Sequence, residues 1–225
     1  MPRSKRQKLV SLTKTTAKGR EGKEKLIASI QEAVETYPHI WVFSVADMRN
    51  SYLKEVRAQW KGARQGRIFF GRNRPIAKAL GKTEEEELKP GLHKLSEHLR
   101  GDVGLFFTAA PEEEVREYFG QYHQADYARS GVRATQTVEL PMGRVMRGDE
   151  AMPPNMFDSL RKLGMPVTKQ VGQIMLDAPY TVCREGDVLT PNQAHLLKLF
   201  YYQLADFSIQ LLHHYHDGQC EEVMG

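Results

Sequence analysis

The chain has 225 residues, of which 40% are hydrophobic and 27% are charged, and only two are cysteines. This composition is typical of a globular protein and excludes collagen-like, disordered and disulfide-stapled classes. Two cysteines provide neither a disulfide framework nor a structural zinc site, so we expect a reducing, intracellular compartment. No apolar stretch approaches the ~18 residues of a membrane span, and no apolar core follows the basic N-terminus as in a secretory signal.

The net charge of +4 conceals a strong segregation of charge along the chain. Residues 1–25 contain nine basic and two acidic residues, a net +7, and residues 49–82 contain ten basic and one acidic, a net +9. The rest of the chain carries −12. Two separated basic blocks with almost no acids indicate a polyanionic partner, and we favour nucleic acid over a merely solvated charged face.

The first half of the chain alternates between helical and strand patterns. After a basic arm over residues 1–22, helix-spaced apolar residues precede Pro38, and residues 40–45 form a buried strand. A helix follows with Leu53, Val56 and Trp60 as its apolar stripe. Residues 67–70 and 101–108 are two more predicted strands, separated by a short helix, a solvated acidic run at 84–87 and a helix over about 88–99. A further helix opens at 111–114. This alternation predicts an α/β fold with a parallel or mixed sheet covered by helices.

The composition changes around residues 128–131, where an inserted α+β domain over 129–200 is predicted. We expect strands over 135–140, 169–176 and 180–183 and a short helix over 155–163. Thr190 and Gln193 resemble a capping box that opens a helical region with Leu197, Phe200, Leu204, Phe207 and Leu211 on one face. The first domain therefore comprises residues 23–128 plus about 201–225.

Several motifs for catalysis or cofactor binding are incomplete in this sequence. Gly81-Lys82-Thr83 lacks the earlier glycine of a phosphate-binding loop, and Gly101 and Gly104 lack the rest of a dinucleotide fingerprint. The histidines at 213, 214 and 216 are expected at a polar helix end, because their spacing supplies two metal ligands at most. Asp47 and Asp102 are expected in turn or surface roles. The sequence therefore predicts no catalytic residue, metal, cofactor or small-molecule substrate.

The best-supported chemistry is phosphate binding at residues 71–75. A glycine loop that leaves a strand and enters a helix exposes backbone N–H groups to an anion, and Asn73 is predicted to cap that helix with Pro75 in its first turn. Arg72, Arg74 and Lys78 add positive charge there. On the preceding helix a basic stripe lies roughly 100° from the apolar one. Its members are Lys54, Arg57, Lys61 and Arg64. Trp60, Phe69 and Phe70 are expected in the core.

Five segments together resemble the ribosomal stalk-base protein family over about residues 23–215. They are RIFFGRNRPIAKAL at 67–80, LRGDVGLFFT at 99–108, ARSG at 128–131, PNMFDSLRKLG at 154–164 and EGDVLT at 185–190. The resemblance implies an α/β domain that binds large-subunit rRNA at the stalk base, an outward-facing insertion domain, and a return to the first domain at the C-terminus. The resemblance also implies that rRNA is contacted by Arg72, Asn73, Arg74 and Lys78, together with the helix cations Lys54, Arg57 and Lys61. The further cations of the predicted interface are Arg64 and, in the arm, Arg3, Lys5, Arg6 and Lys8.

Two departures from the family pattern favour an assembly-factor branch over the mature stalk protein. The sequence ends at Gly225 without the helices, alanine-rich hinge and acidic tail of the stalk protein, and it opens with the basic arm PRSKRQK at 2–8. The resemblance then implies a nucleolar and nuclear factor that travels to the cytoplasm with pre-60S particles, next to neighbouring ribosomal proteins. The alternatives are a structural stalk-base protein retained in mature ribosomes and an α/β enzyme with an unrecognised site.

Overall fold

A computed structural model describes residues 19–61 and 66–223. Its helices are α1 (Arg20–Thr36), α2 (Asn50–Lys61), α3 (Asn73–Leu80), α4 (Leu92–Glu97), α5 (Glu112–Gln121), α6 (Phe157–Lys162) and α7 (Pro191–Leu199), with a 3₁₀ turn at Pro154–Met156. Its strands are β1 (His39–Ala46), β2 (Gly66–Phe70), β3 (Val103–Thr108), β4 (His123–Asp126), β5 (Val138–Leu140), β6 (Gly143–Arg144), β7 (Met146–Arg147), β8 (Glu150–Ala151), β9 (Val167–Gln170), β10 (Gln173–Leu176), β11 (Tyr180–Cys183), β12 (Ala205–His216) and β13 (Gln219–Glu222). Within these ranges, every helix is either too short or too polar to span a membrane.

The largest sheet has the strand order β13-β12-β1-β3-β2, and β4 also pairs with β12. β12 runs antiparallel to both β13 and β4. All six residues of β3 are buried, as expected of a central strand with a continuous apolar sequence. The predicted mixed α/β class is therefore confirmed.

The chain forms two compact units. The described part of the first comprises residues 19–42, 67–109 and 213–223, and that of the second comprises 43–61, 66 and 110–212. In the first unit α1 packs on α3, and α3 packs on α4. The apolar face predicted for α1 supplies Ile30 and Val34 to this core, where both side chains are fully buried. Each such side chain stabilises the fold by about 1.5–3 kcal/mol.

The helix predicted over about 88–99 is shorter in the structure, where α4 begins at Leu92. Gly91 precedes it with φ +83°, and a Cβ at this position would lie 2.5 Å from the carbonyl oxygen of Gly218. Tyr215 secures the same contact because its hydroxyl donates to the carbonyl of Pro90 at 2.8 Å. The close approach of the β12–β13 hairpin therefore requires glycine at residue 91 and an irregular backbone before α4.

Glu87 departs from the prediction that residues 84–87 are simply solvated. Its carboxylate accepts hydrogen bonds from the backbone N–H groups of Gly91 and His93, each at 3.0 Å, and lies 2.7 Å from the His93 Nδ1. The side chain is 11% exposed. The hydrogen bond from the His93 backbone, followed by the one from the His93 ring, lowers the pKa of Glu87. Glu87 therefore organises the turn before α4.

We expect Glu87→Gln to lower the thermal midpoint at pH 7, because the amide loses the charge that these donors stabilise. A lowered pKa in the folded state contributes stability that is present above the ordinary value of 4.5 and disappears as the pH falls below it. The difference between the two proteins should therefore narrow in acid. Thermal unfolding followed by circular dichroism between pH 7 and pH 3 measures it. Glu85→Gln, at an exposed neighbour, is the matched control, and an equal loss from both variants would contradict a special role for Glu87.

A second apolar core lies within the second unit. Among its buried members are Val138, Leu160, Ile174, Val182 and Leu196. The prediction of one strand over 169–176 is wrong, because these residues belong to a hairpin of β9 and β10 in which Gln170 lies opposite Gln173. Val171 and Gly172 form the turn with φ +47° and +76°, and the apolar character of Val171 hides that turn in the sequence. The strand predicted over 135–140 is shorter, as β5, and the short helix is confirmed as the 3₁₀ turn and α6.

The capping box of Thr190 and Gln193 is confirmed at the start of α7. The helical region predicted beyond it is wrong, because α7 ends at Leu199 and residues 205–216 form β12. Tyr201 adopts a left-handed φ of +64°, which interrupts the helix. Ala205, Phe207 and Ile209 are buried in alternation with less buried residues. The side chains are therefore buried with the alternation of a strand, although the spacing of Leu204, Phe207 and Leu211 is that of a helix.

Candidate nucleic-acid interface

The predicted phosphate-binding loop joins the end of β2 at Phe70 to the start of α3 at Asn73. Gly71, Arg72 and Arg74 are exposed, and Lys78 is exposed further along the same helix. A Cβ built at Gly71 meets nothing within 4 Å, so the space in front of the loop is open. None of the ion pairs found among the described residues engages these three cations. They are therefore available to a phosphate, with Arg72 and Arg74 at the positive end of the α3 dipole and Lys78 in the last turn of the helix.

Asn73 does not cap α3 as predicted. Arg72 occupies the N-cap position, and no side-chain cap is present. The Asn73 amide nitrogen donates instead to the carbonyl oxygens of Leu99 at 3.1 Å and Gly101 at 2.8 Å. Both N–H groups of the Asn73 amide therefore donate to acceptors within the protein, and neither hydrogen bond involves the side-chain oxygen. RNA contact by Asn73 stays a prediction.

Phe69 and Phe70, which were expected in the core, are both half-buried, whereas Ile68 is buried. The Phe69 ring packs edge-on against Phe107 with centroids 5.6 Å apart. Arg67 lies over the Phe69 ring at 5.1 Å and pairs with Glu32 at 3.2 Å. Arg67 therefore has a partner within the protein, whereas no ion pair among the described residues engages the cations of the loop that follows it.

The two stripes of α2 lie as the sequence predicts. Leu53, Val56 and Trp60 are buried, whereas Lys54 and Lys61 are exposed and Arg57 is half-buried. Burial lowers the pKa of the Arg57 guanidinium, which remains charged at neutral pH. These cations belong to the second unit and those of the 71–78 segment to the first. Contact of the α2 cations with RNA stays a prediction.

Trp60 is confirmed as a core residue. Its side chain is fully buried, with the ring stacked on Phe119 at 5.8 Å and edge-on to Tyr118 at 5.2 Å. A nucleobase therefore has no access to its face. The remaining predicted cations, Arg64, Arg3, Lys5, Arg6 and Lys8, lie outside the described residues.

The C-terminal histidines lie on β12 and not at a helix end. His214 is 5% exposed and stacks on Trp41 at 3.9 Å, and His39 stacks on His216 at 4.3 Å. His213 stacks on His98, and burial, followed by the proximity of His98, lowers the pKa of His213. No group of three or more His, Cys, Asp or Glu residues in the described ranges is arranged to hold a metal. These rings are packing elements of the first unit.

Asp47 occupies a turn, as predicted, with φ +44°, and its carboxylate accepts from the backbone N–H of Asp206 at 3.3 Å. The contact between Asn73 and residues 99–101 was not predicted. The only sequence signal for it is a polar side chain after one strand and an Arg-Gly pair before the next. β2 and β3 are neighbours in the sheet, and the Asn73 side chain connects the segment after β2 to the segment before β3.

The fold and loop define a mixed α/β protein with an open cationic site at a helix N-terminus. The profile of the family described as "Ribosomal protein L10" matches residues 18–124, and that of the insertion domain found in 60S ribosomal proteins of the same type matches residues 128–201. The chain belongs to the ribosomal protein L10 family, which confirms the resemblance found in the sequence.

Among the similar proteins are two called ribosome assembly factor mrt4. The one from Dictyostelium discoideum is 40% identical, over 99% of this chain and 98% of its own length. The one from Saccharomyces cerevisiae is 37% identical, over 96% and 94%. The large ribosomal subunit protein uL10 of Thermococcus onnurineus is 25% identical, over 88% of this chain and 57% of its own length.

Proposed function

We propose that this chain is a non-enzymatic ribosome assembly factor that binds large-subunit rRNA at the stalk base of the pre-60S particle. It holds the site until the mature stalk protein replaces it. The observation that carries the proposal is the 40% identity to a protein named as a ribosome assembly factor, against 25% to an archaeal ribosomal protein of the same family.

The mechanism is the neutralisation of RNA phosphates by cations held on a folded surface. Arg72 and Arg74 are exposed at the α3 N-terminus, with Lys78 one turn further on, and Lys54 and Lys61 are exposed on α2. Folded RNA is recognised mainly by shape, phosphates and 2′-hydroxyl groups, which suits dispersed cations better than a base-reading code. If roughly 6–8 phosphates are neutralised, the logarithm of affinity should fall with the logarithm of salt concentration with a slope of about −4 to −7.

The proposal places the protein in the nucleolus and nucleus, next to neighbouring ribosomal proteins of the precursor particle, with passage to the cytoplasm on that particle. The basic arm that contains Arg3, Lys5, Arg6 and Lys8 supplies additional positive charge for RNA. We propose that the chain is divided into a basic arm over 1–22, an rRNA-binding domain over 23–128 and about 201–225, and an inserted domain over 129–200.

Sucrose-gradient fractionation of cells that express the tagged full chain tests the proposal. We expect the protein to sediment with precursor large subunits and to be depleted from polysomes. Enrichment in polysomes would overturn the assembly role in favour of a stalk-base protein retained in mature ribosomes. Ultraviolet crosslinking with sequencing of the bound RNA is the second measurement, and crosslinks that avoid the stalk base would refute the proposed binding site.

A further inference from the structure

The loop before β3 presents an exposed arginine from a hydrogen-bonded backbone. Leu99 is 7% exposed, so it anchors the loop in the core, whereas Arg100 is exposed. The backbone N–H of Arg100 donates to the carbonyl of His98 at 2.9 Å. Gly101 follows with a left-handed φ of +72°. The backbone around Arg100 is therefore tied to the protein on both sides while the Arg100 side chain remains on the surface.

Asn73 connects this loop to the cationic loop at α3. Its amide donates to the carbonyls of Leu99 and Gly101, which lie on either side of Arg100. Asn73 itself stands between Arg72 and Arg74 in the sequence. From the lengths of the Asn side chain and two hydrogen bonds, the Cα atoms of all three arginines lie within roughly 10 Å of the Asn73 Cα. One amide thus links the two backbone segments that carry these three exposed arginines.

We propose that Arg100 is a further phosphate-contacting residue of the RNA interface and that Asn73 is the positioning residue that holds it beside Arg72 and Arg74. The inference rests on the proposed function and extends its site to closely spaced phosphates of folded RNA. The exposed Asp102 lies two residues away and carries the opposite charge. The loop therefore contributes through the placement of one guanidinium fork, which can meet a phosphate bidentately, and not through its net charge.

Filter binding of the purified full chain to a transcribed stalk-base rRNA segment, over a range of salt concentrations, tests the role of Arg100. We expect Arg100→Ala to bind about tenfold more weakly and to reduce the salt slope by about 0.7–0.9, as for one lost phosphate contact. Arg100→Lys should recover part of this loss, because it keeps the charge but not the fork. Arg184→Ala, at an exposed arginine of the second unit, is the matched control. An Arg100→Ala affinity within twofold of the natural chain would overturn the assignment.

A double-mutant cycle tests the positioning role of Asn73. Asn73→Ala removes no charge, yet we expect it to weaken RNA binding several-fold, and the double variant with Arg100→Ala should bind about as Arg100→Ala does alone. Additive losses would overturn the positioning role. Circular dichroism melts establish that the variants compared are folded, and Asn73→Gln, which keeps the amide donor, should regain part of the affinity if the hydrogen bonds matter.

Single substitutions distinguish an error in the role of Arg100 from an error in the proposed RNA interface. If substitutions at Arg72, Arg74 and Lys78 weaken RNA binding and Arg100→Ala does not, the inference is wrong and the proposed function stands. If none of the four substitutions affects binding to this RNA, the proposed interface is itself wrong.

Discussion

Replacement of Arg72, Arg74 and Lys78 by alanine together is expected to weaken binding to stalk-base rRNA by about 10²–10³-fold. Each charged hydrogen bond to a phosphate contributes about 1–1.5 kcal/mol at an exposed site, and three are removed. The salt slope should fall in magnitude by about 2–3, because each neutralised phosphate contributes about 0.7–0.9. Binding titrations at several salt concentrations measure both quantities.

The matched control for this variant is the alanine triple of Arg161, Lys162 and Lys169, which are cations of the inserted segment. It removes the same charge, so a non-specific effect of net charge would weaken both variants equally. Because Arg72, Arg74 and Lys78 lie outside the buried core, their replacement should leave the thermal midpoint nearly unchanged. Full RNA affinity in a folded Arg72, Arg74 and Lys78 variant would reject the electrostatic mechanism and reopen the question of an enzyme with an unrecognised site.

Trp60→Ala is expected to have the largest effect on stability, about 3–5 kcal/mol of the free energy of unfolding. The side chain is fully buried between Phe119 and Tyr118, so its loss leaves a cavity that neighbouring rings cannot fill without moving. Urea unfolding followed by circular dichroism measures the change. RNA affinity per folded molecule should be unaffected, because the ring is closed to a nucleobase.

Tyr201→Ala is the aromatic control for that experiment. Tyr201 is 55% exposed, and removal of its ring should change the free energy of unfolding by less than about 1 kcal/mol. A Trp60→Ala protein of natural stability with reduced RNA affinity would show instead that the indole stacks on a base. Trp60→Phe should retain part of the lost stability, since it preserves a ring in the same site.

Elements whose apolar pattern matches a single period were predictable. The α2 stripe of Leu53, Val56 and Trp60 follows the helical period, and all three side chains are buried. The capping box at Thr190 is a local interaction between residues three apart, so it needs no tertiary information. The basic loop at 71–75 was found because its glycine, arginines and proline lie next to one another in the chain.

The wrong or missing predictions share a physical cause. The local conformational preference of a segment competes with contacts to residues that are distant in the sequence. Residues 204–211 satisfy a helical spacing, but pairing of β12 with β4 and β13 makes this region a strand. Val171 is a poor turn former, yet the strand pairing on both sides places it in a hairpin. Glu87 and Asn73 lie in polar segments, and their hydrogen-bond partners become evident only when the chain is folded.

The sequence by itself determined the mixed α/β class, the two basic blocks and the resemblance to the stalk-base family, because these depend on residues that are close together in the chain. Only the tertiary structure decided that β12 is a strand, that Trp60 is closed to bases, and that Asn73 links the loops of Arg72 and Arg100. Each of these is a contact between residues distant in sequence, and its free energy depends on which surfaces the fold removes from water.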